Sequence, residues 1–140
     1  SWIEAAKKQT TSMINNLKKE IEAKCGFSSN IRLSFIAYRD HCDGTNRLNT
    51  LQFTEDVPSV INHISAQRAT GGGDYPEDIA GALDEANRLQ WKASTRVLVL
   101  ISDAPCHGNK YHGGGGDSYP SGDPLGLIPE DLLVQLRQKE

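Results

Sequence analysis

The chain has 140 residues, 15 Lys plus Arg against 18 Asp plus Glu, a net charge of −3, 37% apolar and 24% charged residues. That is the size of one domain with a core of its own, and its composition is not that of a disordered chain. Without a basic surplus it is not expected to bind nucleic acid or an anionic membrane, since either affinity would rest on a positive face.

Residues 2–24 read as an amphipathic helix, with Ile3, Ala6, Thr10, Met13 or Ile14, Leu17 and Ile21 three or four apart. Ser1 and Glu4 have capping-box spacing, and Gly26 suits the helix end. Residues 31–38 read as a strand whose second half is apolar on both faces, as an inner strand is. A polar loop, 39–44, leads to a half-buried edge strand at 48–53 and a helix at 56–67. After the loop at 69–75, Pro76 is expected to open a helix to about Leu89, with Gly81 inside it to allow close packing on a sheet. Trp91 is expected to close the turn that follows.

Thr95–Ser102 is the clearest strand in the sequence. Val97, Val99 and Ile101 are β-branched, and Val97–Ile101 is the longest unbroken apolar run, far too short to span a membrane. Residues 104–128 hold three prolines and the glycine run 113–116 and read as one long loop, a feature uncommon unless functional. Pro129 opens a last helix with Leu132, Leu133 and Leu136 on one face. The order predicts an α/β fold: a doubly wound, mostly parallel sheet with helices on both faces and ligands at the carboxyl edge. Three cysteines without framework spacing, and an N-terminal stretch that is a charged helix, point to a reduced, cytoplasmic setting.

Two constellations carry possible chemistry. Thr70, Asp74, Glu77, Asp78 and Asp103 are hard oxygen donors in separate loops, as Mg²⁺ requires, although carboxylates at a helix start also serve its dipole. His41, Cys42, Cys106, His107 and His112 offer zinc donors without the usual C-x₂-C spacing. Sequence neighbours such as Cys106 and His107 do not readily face each other as nucleophile and base. Gly71-Gly72-Gly73 lacks a following Lys-Ser/Thr and carries carboxylates that repel phosphate, so a nucleotide cradle is not expected.

Thr70-Gly-Gly-Gly-Asp-Tyr-Pro-Glu-Asp-Ile-Ala-Gly-Ala-Leu and Arg96-Val-Leu-Val-Leu-Ile-Ser-Asp-Ala-Pro resemble a von Willebrand factor type A domain. With Tyr38-Arg-Asp-His, Ser102-Asp-Ala-Pro-Cys-His-Gly, Tyr111-His112 and Tyr119-Pro-Ser-Gly-Asp-Pro-Leu-Gly-Leu, the chain looks like the alpha-kinase-associated type of that domain. The resemblance implies a Rossmann-like sheet and a metal-ion-dependent adhesion site holding Mg²⁺ or Mn²⁺. It implies a non-enzymatic module that binds a protein, often through an acidic side chain of the partner. Carried over, Asp103 is the third-loop ligand, and Asp74 or Glu77 stands in for the second-loop Thr, with Thr70 just upstream. His41, Tyr75, His107 and His112 are expected to shape the partner-binding surface. The resemblance also places a strand with an Asp-x-Ser-x-Ser-type motif immediately before the first helix and further elements after residue 140. The expectation is therefore an internal piece of such a domain, with an incomplete metal site and exposed strand edges. The alternatives are a zinc-organised structural module built on Cys106, His107, His112 and His41, or a metal-free scaffold.

Overall fold

A computed structural model describes residues 2–25 and 30–139, and the backbone alone at Trp2 and Cys25. The capping residues proposed at Ser1 and Gly26 lie outside that range. The element order is α1 (Trp2–Cys25), β1 (Leu33–Tyr38), a 3₁₀ segment (His41–Asn46), β2 (Leu48–Thr54), α2 (Val57–Ala66), α3 (Ile79–Arg88) and α4 (Pro129–Arg137). Two compact units form: residues 1–35 with 51–69, and residues 36–50 with 70–140.

In the first unit, the apolar stripe of α1 meets α2. Ile14, Val60 and Ile64 are its buried centre, with Leu33, Phe35, Leu51 and Val57 packed around them. The 3.6-residue spacing selects Ile14 over Met13, which is exposed together with Leu17. Asp56 caps α2 by accepting from the Ser59 N–H at 3.2 Å.

In the second unit, α3 packs on α4 through Ile79, Ala80, Leu83 and Leu132, joined by Cys106. The Asn87 side chain also donates to the Leu132 carbonyl at 3.0 Å. Leu133, expected on the buried face of α4, is exposed. The Trp91 indole donates to the Ala86 carbonyl at 2.8 Å and closes the end of α3, as its position suggested.

Three expectations change. First, α3 starts at Ile79, not Pro76. Glu77 makes a parallel bridge to Cys106 instead, with its N–H donating to the Pro105 carbonyl at 2.9 Å. Asp78 is the N-cap, accepting from the Gly81 N–H at 2.7 Å. Second, Gly81 serves that cap: a Cβ there would run into the Asp78 carboxylate. Third, Thr95–Ser102 carries no ladder, and its five apolar residues Val97–Ile101 are all exposed. Among the described residues the sheet is two-stranded and antiparallel, β1 against β2, and β1 is half-buried along its length. No helix among the described residues is long and apolar enough to cross a membrane.

Gly81 permits a direct test. Helix propensity alone predicts that Gly81→Ala stabilises by about 1 kcal/mol. Because the new methyl displaces the Asp78 cap, we expect the opposite sign, a loss of about 1 kcal/mol or more in denaturant unfolding.

Candidate functional site

The polar centre of the second unit is assembled from the turn after β1, the approach to α3 and the long loop. Asp40 ends the extended backbone of β1 and caps the 3₁₀ segment, accepting from the His41 N–H at 2.6 Å. Its Oδ1 also faces His107 Nε2 at 2.7 Å. The other ring nitrogen, Nδ1, faces Asp117 Oδ1 at 2.8 Å. Asp117 is fixed by the N–H groups of Gly108 and Tyr119, both at 2.7 Å, and by His112 Nε2 at 2.9 Å. These side chains are almost fully enclosed: His107 is 1% exposed, Asp40 3%, Asp117 1% and His112 8%.

An imidazole with a carboxylate on each nitrogen needs two N–H donors, so without a metal His107 is an imidazolium. Burial alone would lower its pKa, but the hydrogen bonds to Asp117 and Asp40 outweigh that and raise it above the ordinary value. Burial likewise pushes Asp117 up, and its bonds to His107, Gly108, Tyr119 and His112 overcome this and hold the carboxyl well below the usual range.

A second cluster lies beside the first. His41 Nε2 meets Asp123 Oδ2 at 2.8 Å and lies 3.4 Å from Asp78 Oδ1, while Arg47 Nη1 stands 3.1 Å from His41 Nδ1 and 3.2 Å from Asp78 Oδ2. Arg47 donates to Nδ1, so His41 carries its proton on Nε2. The Tyr119 ring meets both imidazoles edge-on, 5.3 Å from His41 and 5.0 Å from His107. Asp123 Oδ1 accepts from the Leu125 and Leu127 N–H groups and so folds the end of the long loop back onto this cluster.

The glycine run also wraps a carboxylate, one supplied by the chain. The Gly72 N–H donates to Asp43 Oδ2 at 3.3 Å, and Gly71, at φ +98°, has no room for a Cβ beside that side chain. Arg39 ties the same loop down by donating to the Thr70 carbonyl at 3.1 Å.

The oxygen donors of the sequence reading separate. Asp74 meets Asp40 and His107, so that one donor atom from each lies within 4.8 Å of the others. Its Oδ2 accepts from the Ser118 N–H at 2.5 Å, and its buried Oδ1 has no hydrogen-bond partner. Glu77 is partly buried with an unpartnered Oε2. Its pKa is raised to about 7, first by burial and then by the negative charges of Asp40, Asp43 and Asp103. Asp103 and Thr70 are exposed. Of the residues expected to form a partner surface, Tyr75 is 62% exposed, whereas His107 is buried and the partly buried His41 and His112 turn their side chains into the polar centre. Among the described residues, Cys42 and Cys106 do not join the histidines as metal donors: Cys106 is buried in the apolar core, and the exposed Cys42 donates to Asp40 at 3.4 Å. Burial raises the Cys106 thiol pKa, and local desolvation with the Asp40 hydrogen bond and charge raises that of Cys42, the opposite of an activated nucleophile. Asp117 is a site residue that the sequence did not point to, and Asp123 stood in a motif of the resemblance without a role assigned to it. The signal that residue types gave for both was a carboxylate beside turn residues in a long loop of the kind uncommon unless functional.

The chain is homologous to part of the alpha-protein kinase vwkA of Dictyostelium discoideum, 40% identical over 129 residues. That match takes in 91% of this chain and 20% of the kinase. It is also 32% identical over 75 residues, 54% of the chain, to 7% of a putative ariadne-like RING finger protein, R811, of Acanthamoeba polyphaga mimivirus. The chain thus spans a fifth or less of the curated relatives it matches. No family model and no solved structure matches it.

Glu77 sets a pH dependence for the metal-free protein. Its folded pKa, about 7, lies above its unfolded value of about 4.3. The protonated form is therefore favoured by folding, and this contribution is complete below pH 4 and lost as the pH rises through 7. With chelator present, Glu77→Gln is expected to melt higher than the parent chain at pH 8, the difference shrinking towards pH 5.

Proposed function

We propose that this chain is a recognition module of the von Willebrand factor A type, kinase-associated, cytoplasmic and not itself catalytic. In this reading a divalent ion, Mg²⁺ or Mn²⁺, sits at an acidic edge and an acidic side chain of a protein partner completes its shell. The observation that carries the reading is Glu77: a partly buried carboxylate whose buried Oε2 has no hydrogen-bond partner, its pKa raised first by that burial and then by the charges of Asp40, Asp43 and Asp103. Crowded oxygen donors of this kind are stabilised by a hard cation. Glu77 and Asp103 are the proposed ligands. Thr70 contributes at most from the rim, and Asp74 is turned toward His107. A bound ion would supply positive charge for a partner carboxylate, and exposed Tyr75 would supply apolar contact beside it.

The homology to an alpha-protein kinase, and the vwkA in its name, support the kinase-associated assignment. The doubly wound fold of this reading would bury Val97–Ile101, apolar on both faces and exposed here, as an inner strand.

Mn²⁺ titration followed by electron paramagnetic resonance tests the site. Binding is expected in the parent chain, at least ten-fold weaker in Glu77→Gln and in Asp103→Asn, with acetate perturbing the bound-ion spectrum as a stand-in for a partner carboxylate. Unchanged Mn²⁺ affinity in both variants would overturn the proposal.

A further inference from the structure

We infer that Asp40, Asp74 and His107 form a second metal site, separate from Glu77 and Asp103, that takes a first-row transition ion of the zinc class. Three observations point there.

The first is the donor set. Imidazole nitrogen with two carboxylates suits Zn²⁺ and its neighbours, whereas Mg²⁺ prefers oxygen alone. The three donor atoms lie within 4.8 Å of one another. Two ligands on a tetrahedral zinc ion stand about 3.4 Å apart, so Asp74 moves inward while His107 Nε2 and Asp40 Oδ1, 2.7 Å apart, open slightly to admit the ion.

The second is the support behind the histidine. His107 Nδ1 points at Asp117, which two backbone N–H groups and His112 hold in place. A ligating imidazole commonly donates its far N–H to a carboxylate, which fixes the ring and raises its basicity. Here that arrangement is already built, with Nε2 directed at Asp40. When the ion binds, it replaces the Nε2 proton, which leaves to solvent, and the Nδ1–H bond to Asp117 stays.

The third is the orphan. Asp74 Oδ1 is buried without a hydrogen-bond partner, a costly condition that a metal bond removes. The neighbouring His41–Asp78–Asp123 cluster fits an ion less well. Arg47 already supplies positive charge 3.2 Å from Asp78, and it occupies the free nitrogen of His41.

Co²⁺ is the probe, because its visible ligand-field absorption reports nitrogen–oxygen coordination directly. Titrated into the metal-free full chain, it is expected to saturate at one strong site that Zn²⁺ displaces. Asp74→Asn, an isosteric change at a partly exposed position, is expected to weaken Co²⁺ at least ten-fold with circular dichroism unchanged. His107→Gln is expected to abolish the spectrum, and Asp117→Asn to weaken binding ten- to a hundred-fold, as loss of a supporting carboxylate does. Glu77→Gln and Asp103→Asn are expected to leave the Co²⁺ spectrum intact, which separates this site from the Mn²⁺ site above. The inference is overturned if Asp74→Asn binds Co²⁺ like the parent, if binding is lost in Asp123→Asn but kept in Asp74→Asn, or if no Co²⁺ spectrum develops.

Discussion

The second unit is organised by one buried imidazole. His107 lies between Asp40 at the end of β1 and Asp117 in the long loop, with a carboxylate on each ring nitrogen. Burying ions is expensive unless they are paired and their remaining lone pairs are satisfied. Here Asp117 accepts four hydrogen bonds, and Asp40 Oδ1 accepts from both His107 and the His41 N–H. Removing one partner would leave the others charged and dry. Such a network holds distant parts of the chain in a single arrangement, and this explains how residues 104–128, with neither helix nor strand, keep a defined path.

Two kinds of acidic site follow from that organisation. Around His107 the negative charge is balanced by a proton or, in our inference, by an ion. Around Glu77 it is not balanced, because Asp43 and Asp103 add charge of the same sign and Glu77 Oε2 has no donor. The oxygen donors that lie close in sequence, Asp74, Glu77 and Asp78, thereby acquire three roles. Asp74 turns to the histidine, Glu77 to the acidic edge, and Asp78 into α3 as its cap and into the His41–Arg47 cluster. Our two proposals accordingly assign these loops two separable donor sets, one of oxygen donors and one containing imidazole, in place of a single adhesion-type site.

Long amphipathic segments were legible from sequence because burial of one face imposes a period that composition records. The helices at α1, α2 and α4, the two strands and the existence of the long loop all came from such patterns. The start of α3 did not, because Pro76 is compatible with a first turn and the competing Glu77–Cys106 bridge is a contact between residues 29 apart. Thr95–Ser102 has strand composition, but a strand also needs a partner edge, and a sequence window contains no information about that.

The chemistry divides the same way. The sequence by itself determined which residues are available: carboxylates behind a glycine run, Asp103 after an apolar segment, and histidines in two polar loops. Only the tertiary structure decided their company. It turned the side chains of His41, His107 and His112 inward, moved Asp74 from Glu77 to His107, and brought in Asp117 and Asp123 from the long loop. The physical reason is that a buried charge must find its counter-charge within a few ångströms, and that distance is set by how the chain folds back on itself, not by how far apart two residues lie along it.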